Sequence, residues 1–268
     1  MRRISLTLAL AALLAGVAPP ASGHEKGSAG ARERFGRVVR VFEARGHTAS
    51  ARGSSSTCPA AATCGEYRVG RARWAVDGSG VAAMNYRYND AGRPSRAPDA
   101  ATVHAAVRAS AAEWNRVNPA TRFVDAGTTT ARPGALGSDG TCDDGVNSVG
   151  WRPMSTGTIG LTYICYDRRT YRIVDIDTAL NASLGWASFS AASPTASSYD
   201  VRSIVTHELG HWLSLFDLRT SRSRGLTMYA SAGPGEINKR TLGLGDALGS
   251  HAAYPCGTRC VRSGLVSD

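Results

Sequence analysis

Residues 206–217, Thr-His-Glu-Leu-Gly-His-Trp-Leu-Ser-Leu-Phe-Asp, constrain the fold more than any other part of the chain. On an α-helix, residues four apart lie on one face, so His207 and His211 present two ring nitrogens in one direction. Glu208 then stands beside them. The spacing implies a zinc ion held by both imidazoles, with a carboxylate next to the water that such an ion activates. The helix has separate support: Val201, Ile204, Val205, Leu209, Trp212 and Leu213 recur at helical spacing. Ser197 and Ser198 stand ahead of them as N-cap candidates.

A catalytic zinc takes three protein ligands and keeps a fourth position for water. Asp217 follows His211 by six residues, one more turn of helix and a bend further on, where a reversing chain brings a side chain back to the metal. Glu236 is the alternative, the only acidic residue between Asp217 and Asp246. The run from His207 to Asp217 resembles the metzincin metallopeptidases, whose motif is His-Glu-Xaa-Xaa-His-Xaa-Xaa-Gly-Xaa-Xaa-His, with Asp in the last place in the snapalysin-like branch. The resemblance implies His207, His211 and Asp217 as zinc ligands and Glu208 as general base. Ser214 stands where the family has Gly, which admits the positive φ of a tight turn at lower cost. Leu226-Thr227-Met228-Tyr229 resembles the Met-turn of that family, in which Met228 packs beneath the metal site and does not bind it.

Residues 1–23 carry Arg2 and Arg3, an apolar run and then small residues, the pattern of a secretory signal peptide. The run is too short to span a bilayer. A secreted chain beginning near His24, with no stable membrane insertion, is therefore expected. Six cysteines form an even set that suits disulfides in an exported protein, and local spacing favours Cys58 with Cys64, Cys142 with Cys165, and Cys256 with Cys260. The net charge of +10 comes from scattered arginines without a dense basic run or interleaved aromatics. Nucleic acid is thus not an expected partner; a monomer acting on a peptide or protein is. The densest basic stretch, Arg219 to Arg224, is expected to be a solvated loop.

Residues 24–68 are rich in Ala, Gly, Ser and Arg and read as a propeptide or N-terminal extension. Within them, 32–42 carry Phe35, Val38, Val39 and Phe42 at helical spacing. A catalytic domain is expected over 69–256 and a tail over 257–268. Strands are expected at 81–88, 121–124 and 146–151, and a helix at 98–117 is stopped by Asn118-Pro119. Two β-rich segments, 158–166 and 171–180, flank a hairpin turn, and a last helix is expected at 239–253. The acidic loop 137–145 offers oxygen ligands suited to calcium, but without the ordered spacing of a hand-type loop. Calcium stays possible, and one zinc is the expectation.

Over about residues 70–256, the order of elements resembles matrixin-like catalytic domains. It implies an α+β, metzincin-type fold: a twisted, mostly parallel sheet with an antiparallel edge strand, an active-site helix and a C-terminal helix. By the same resemblance, 158–166 is the edge strand above the cleft. An extended peptide would pair with it by β-augmentation, with Thr162, Tyr163 and Ile164 nearest, and 232–235 would shape the pocket beyond the cut bond. The implied function is a secreted zinc endopeptidase. A zinc amidase acting on a cell-wall component, and a catalytically silent peptide-binding protein of the same fold, are the alternatives; an intact Glu208 speaks against the second.

Overall fold

Residues 33–44, 64–189 and 197–257 are described by a computed structural model; the expected signal peptide, Cys58, Cys260 and the tail beyond Gly257 lie outside them. The first element is a strand, β1 (Phe35–Ala44), and not the helix that the spacing of Phe35, Val38, Val39 and Phe42 implies. Its β-branched and aromatic residues favour extended backbone. A helix this short is marginal without tertiary packing, whereas the extended form gains a full ladder against β5 (Thr158–Asp167). That ladder is antiparallel and runs from Phe35↔Asp167 to Phe42↔Gly160.

Seven strands form the main sheet, in the order β3-β2-β4-β6-β5-β1-β9. The others are β2 (Ala82–Tyr88), β3 (Thr121–Thr128), β4 (Ser148–Arg152), β6 (Ile173–Asn181) and β9 (Ser231–Ala232). A two-stranded pair, β7 (Trp186–Ala187) and β8 (Tyr199–Asp200), lies apart. In β2 the side chains of Ala82, Met84, Tyr86 and Tyr88 are buried and those between them exposed, so a period of two sets the core face. Pairing is parallel for β2 with β3, β2 with β4, β4 with β6 and β1 with β9. It is antiparallel for β5 with both β6 and β1. The fold is therefore mixed α+β with a mostly parallel sheet. One expectation fails: β5 is not an edge strand. Thr162, Tyr163 and Ile164 already pair with Arg40, Val39 and Val38 of β1.

Helix α1 (Ala100–Val117) begins at Asp99, whose carboxylate accepts from Thr102 N at 2.8 Å. It buries Val103, Val107, Ala111, Trp114 and Val117. Helix α2 (Val201–Trp212) lies against it, tied by Trp114 Nε1 donating to the Thr206 carbonyl at 2.8 Å. The α2 cap is Asp200, not Ser197 or Ser198: its carboxylate accepts from Ser203 N at 2.8 Å and from Arg240 at 2.6 and 2.7 Å. A charged cap answers both the helix dipole and the guanidinium, which a hydroxyl could not. Trp114 and Trp212 are fully buried, each worth roughly 1.5–3 kcal/mol or more in area removed from water. The expected last helix is broken. Asn238–Arg240 form a separate 3₁₀ turn and α3 (Leu244–Ala253) follows, its start held by Gly243 N donating to Asp246 at 2.8 Å.

Cys142 and Cys165 are bonded, fastening the acidic loop to β5; Cys64 and Cys256 are also in disulfides. Asp175 and Asp177, both buried, lie in β6. Asp177 accepts from Ser148 N, Ser148 Oγ and Gly134 N at 2.6–2.8 Å. Asp175 has an oxygen without a hydrogen-bond partner. Burial, then the charges of Asp177, Asp144 and Asp143, raise its pKa. A raised native pKa means that the proton favours the folded state. This stability is complete below about pH 4, the unfolded value, and is lost as pH rises through the native value. Asp175→Asn should therefore flatten the fall in urea midpoint between mildly acidic and mildly alkaline buffers.

Candidate metal centre

Helix α2 carries His207 and His211 one turn apart, both buried. Their Nδ1 atoms lie 2.7 Å from the Thr227 carbonyl and 2.8 Å from the Leu215 carbonyl. A carbonyl only accepts, so each Nδ1 carries the hydrogen and each Nε2 keeps its lone pair. Burial pulls the His211 pKa down to about 4, which keeps that ring neutral at neutral pH. Asp217 Oδ1 stands 3.3 Å from His207 Nε2 and 3.6 Å from His211 Nε2. Burial works against the Asp217 carboxylate, yet the neighbouring imidazoles and Arg219 outweigh it and hold its pKa well below the usual range. The third donor is thus anionic.

His207, His211 and Asp217 each offer a ligand atom, all within 4.8 Å of one another, and among the described residues they form the one such cluster of three or more His, Cys, Asp or Glu. His211 Nε2 and Asp217 Oδ1 are buried without a hydrogen-bond partner. Electron pairs facing one another out of water are unfavourable unless a cation lies among them, so these three residues fit a metal ion. Glu236 takes no part: its Oε1 lies by Gly233, 3.3 Å from where a Cβ there would stand. In the acidic loop, Asp139, Asp143 and Asp144 accept from backbone N–H groups two residues on, at 2.9–3.0 Å.

Asp217 reaches the histidines through the bend that the sequence motif requires. Ser214 has φ +63°, a left-handed value that glycine adopts at lower cost. Its hydroxyl donates to the Ala72 carbonyl, a bond that glycine would lack. Gly70 N donates to the Ser214 carbonyl at 2.7 Å, Phe216 N to Arg68 at 2.8 Å and Leu218 N to Met228 at 2.8 Å. Asp217 is therefore held on both sides by anchored neighbours. Ser214→Gly exchanges the hydroxyl bond for backbone relief and should change stability by less than about 1 kcal/mol. Ser214→Val loses the bond and places a β-branched residue at positive φ; it should lower the urea midpoint and weaken metal binding together.

Met228 is buried beneath α2, its Sδ 2.2 Å from where a Cβ on Gly210 would stand. Gly210 between the two histidines thus admits the thioether. Two residues absent from the sequence-based candidates hold this turn. Asp246 accepts from Thr227 N at 2.9 Å and Met228 N at 3.0 Å. Lys239, fully buried, donates to the carbonyls of Leu226, Thr227 and Tyr229 at 2.8–3.1 Å. The only hint of them in the sequence is a lysine and an aspartate inside an otherwise weak helical segment.

Glu208 is buried on the β5 side of the centre. Its Oε2 accepts from the Thr162 hydroxyl at 2.6 Å, and its Oε1 lies 2.5 Å from where a Cβ on Gly160 would stand. Burial raises its pKa well above the ordinary value; the Thr162 bond offsets part of this and the Asp217 charge adds to it. Thr162 thus meets the site through its side chain, not through a free backbone edge. No helix among the described residues is long and apolar enough to cross a membrane. Compared with known protein families and with curated proteins, the sequence matches neither a family nor an individual relative.

Proposed function

We propose that the chain is a zinc-dependent endopeptidase of metzincin type. The observation that carries this reading is the convergence of two imidazole nitrogens and one carboxylate oxygen within 4.8 Å, beside a buried glutamate on the same helix. Two imidazoles and a carboxylate suit zinc among the common ions and leave a coordination position for chemistry. Bound there, zinc would polarise the scissile carbonyl and the attacking water.

The remaining work falls to the protein. Glu208 takes a proton from the attacking water and returns it to the leaving amine; its raised pKa suits a group that must both accept and release it. Thr162 holds Oε2, which leaves Oε1 to face the reaction. Met228, Asp246 and Lys239 keep the Thr227 carbonyl under His207 and so set the direction of its Nε2. The bonded Cys142 and Cys165, with the expected signal peptide, support an exported setting.

The test is digestion of an unfolded protein, with metal content measured on the same sample. One equivalent of zinc, hydrolysis lost on chelation and restored by zinc, is the expected result. Undiminished hydrolysis by metal-free protein would remove the reading. Cleavage of cell-wall amides alone, with peptides left intact, would replace it with the amidase.

A further inference from the structure

Arginines that lie scattered along the sequence come together at one end of the sheet. β5 and β6 are joined by the turn 168–172, in which Arg168, Arg169 and Arg172 are exposed. Their side chains form no ion pair among the described residues. Arg71 joins them from the segment ahead of β2, its guanidinium 3.8 Å over the Tyr171 ring, and Arg34 from the residue before β1, paired with Asp167. Two open grooves, of about 660 and about 500 Å³, meet at the turn. The first is lined by Arg34, Arg169 and Arg172 among others, the second by Arg34, Arg168 and Arg169 with Glu33.

The turn is firmly held. Asp167 is buried; it accepts from Arg34 Nε at 2.7 Å and from the N–H groups of Arg169 and Thr170 at 2.9 and 3.0 Å. Tyr171 has φ +57°, a left-handed value costly for an aromatic residue, and its ring stacks on Tyr166 at 5.9 Å and carries Arg71. The carboxylate inside the turn is thus taken up in shaping it, and the guanidiniums around it face solvent. Asp143 and Glu33 are the other acids that line the grooves. Like charges so gathered repel one another. An anion relieves them, and guanidinium forks meet a carboxylate with two parallel hydrogen bonds.

Resting on the peptidase reading, we propose that this basic end is a second binding site for the protein substrate, one that takes a segment rich in Asp and Glu at a distance from the bond to be cut. Gly160, against which the Glu208 carboxylate lies, and Asp167 stand near opposite ends of β5, about 20 Å apart at the rise of an extended strand. That separation is too great for the residues flanking the cut bond. It suits a remote segment of the same substrate chain, whose capture raises the local concentration of the scissile part at the metal centre. Asp143 and Glu33 favour a polypeptide over a uniformly charged polyanion. A polypeptide sets its carboxylates opposite the arginines and neutral residues opposite the two acids, whereas polyphosphate or an anionic membrane brings negative charge to both.

The test uses the full zinc-loaded chain and an unfolded protein carrying either an oligoglutamate run or an oligoglutamine run of equal length. The glutamate form should show a KM lower by roughly tenfold at unchanged kcat, the effect of a few exposed charge pairs acting together. High salt should remove the difference. The triple variant Arg168→Glu, Arg169→Glu, Arg172→Glu should remove it as well, with hydrolysis of the glutamine form as in wild type. Labelled oligoglutamate, followed by fluorescence anisotropy on the wild-type chain, reads the site directly and keeps the test decisive should the variant fail to fold. Equal KM for the two forms, no binding of oligoglutamate, or a preference that survives the triple variant overturns the inference and leaves the peptidase reading intact. So does binding of polyphosphate or anionic vesicles with oligoglutamate excluded. A chain that binds oligoglutamate through these arginines but cuts no protein overturns the peptidase reading and the substrate role with it, while the anion site stands.

Discussion

Glu208→Gln should keep its equivalent of zinc and lower kcat/KM for an unfolded protein by roughly 10²–10⁴-fold, the usual contribution of a general acid–base group. The substitution is close to isosteric. A glutamine carbonyl still accepts from Thr162, so the 2.6 Å contact and the packing against Gly160 persist. What is lost is the capacity to take a proton and return it. Stability should not fall, because a fully buried carboxyl whose charged form is disfavoured by its surroundings is replaced by a group that never ionises. Thr162→Val is the companion measurement. It keeps the shape and removes the donor, so its pH–rate profile should shift upward on the acid limb while zinc content stays constant. Unchanged kcat/KM in Glu208→Gln would mean that another group moves the proton.

Much of this arrangement was legible in the sequence, for reasons that can be named. The four-residue spacing of His207 and His211 places both on one helix face whatever surrounds them, and the structure brings them together with Asp217. Ser214 takes the positive φ that its place in the motif implies, and a hydroxyl bond to Ala72 accompanies it. Strands such as β2 were legible because their alternation records a single buried face. β1 is not legible as a strand because Phe35, Val38, Val39 and Phe42 satisfy a helical spacing equally well. What decides between helix and strand there is the ladder with β5, more than a hundred residues away in sequence, and no local pattern contains that partner. The edge-strand role of Thr162, Tyr163 and Ile164 failed for the same reason. Lys239 and Asp246 were invisible because a buried charge is justified only by its tertiary partners: three carbonyls for one, backbone N–H groups for the other.

That hidden layer makes the second strong prediction. Lys239→Met keeps the aliphatic stem but deprives the carbonyls of Leu226, Thr227 and Tyr229 of a shared ammonium donor. It also removes the cation that favours the ionised form of Asp246. Breaking a buried charged network from one side costs about 3–5 kcal/mol, and the urea midpoint should fall accordingly. The effect should reach the metal centre, because the Thr227 carbonyl that loses Lys239 is also the acceptor for His207 Nδ1. A loosened carbonyl lets the imidazole turn, and loss of such an outer partner weakens metal affinity by about 10–100-fold. Competition between the protein and a chelating dye, carried out below the urea transition, reads the second effect separately from the first. Lost stability with full zinc affinity would assign Lys239 to the fold alone. Loss of both together would show that the lysine sets the direction of His207 through a single carbonyl.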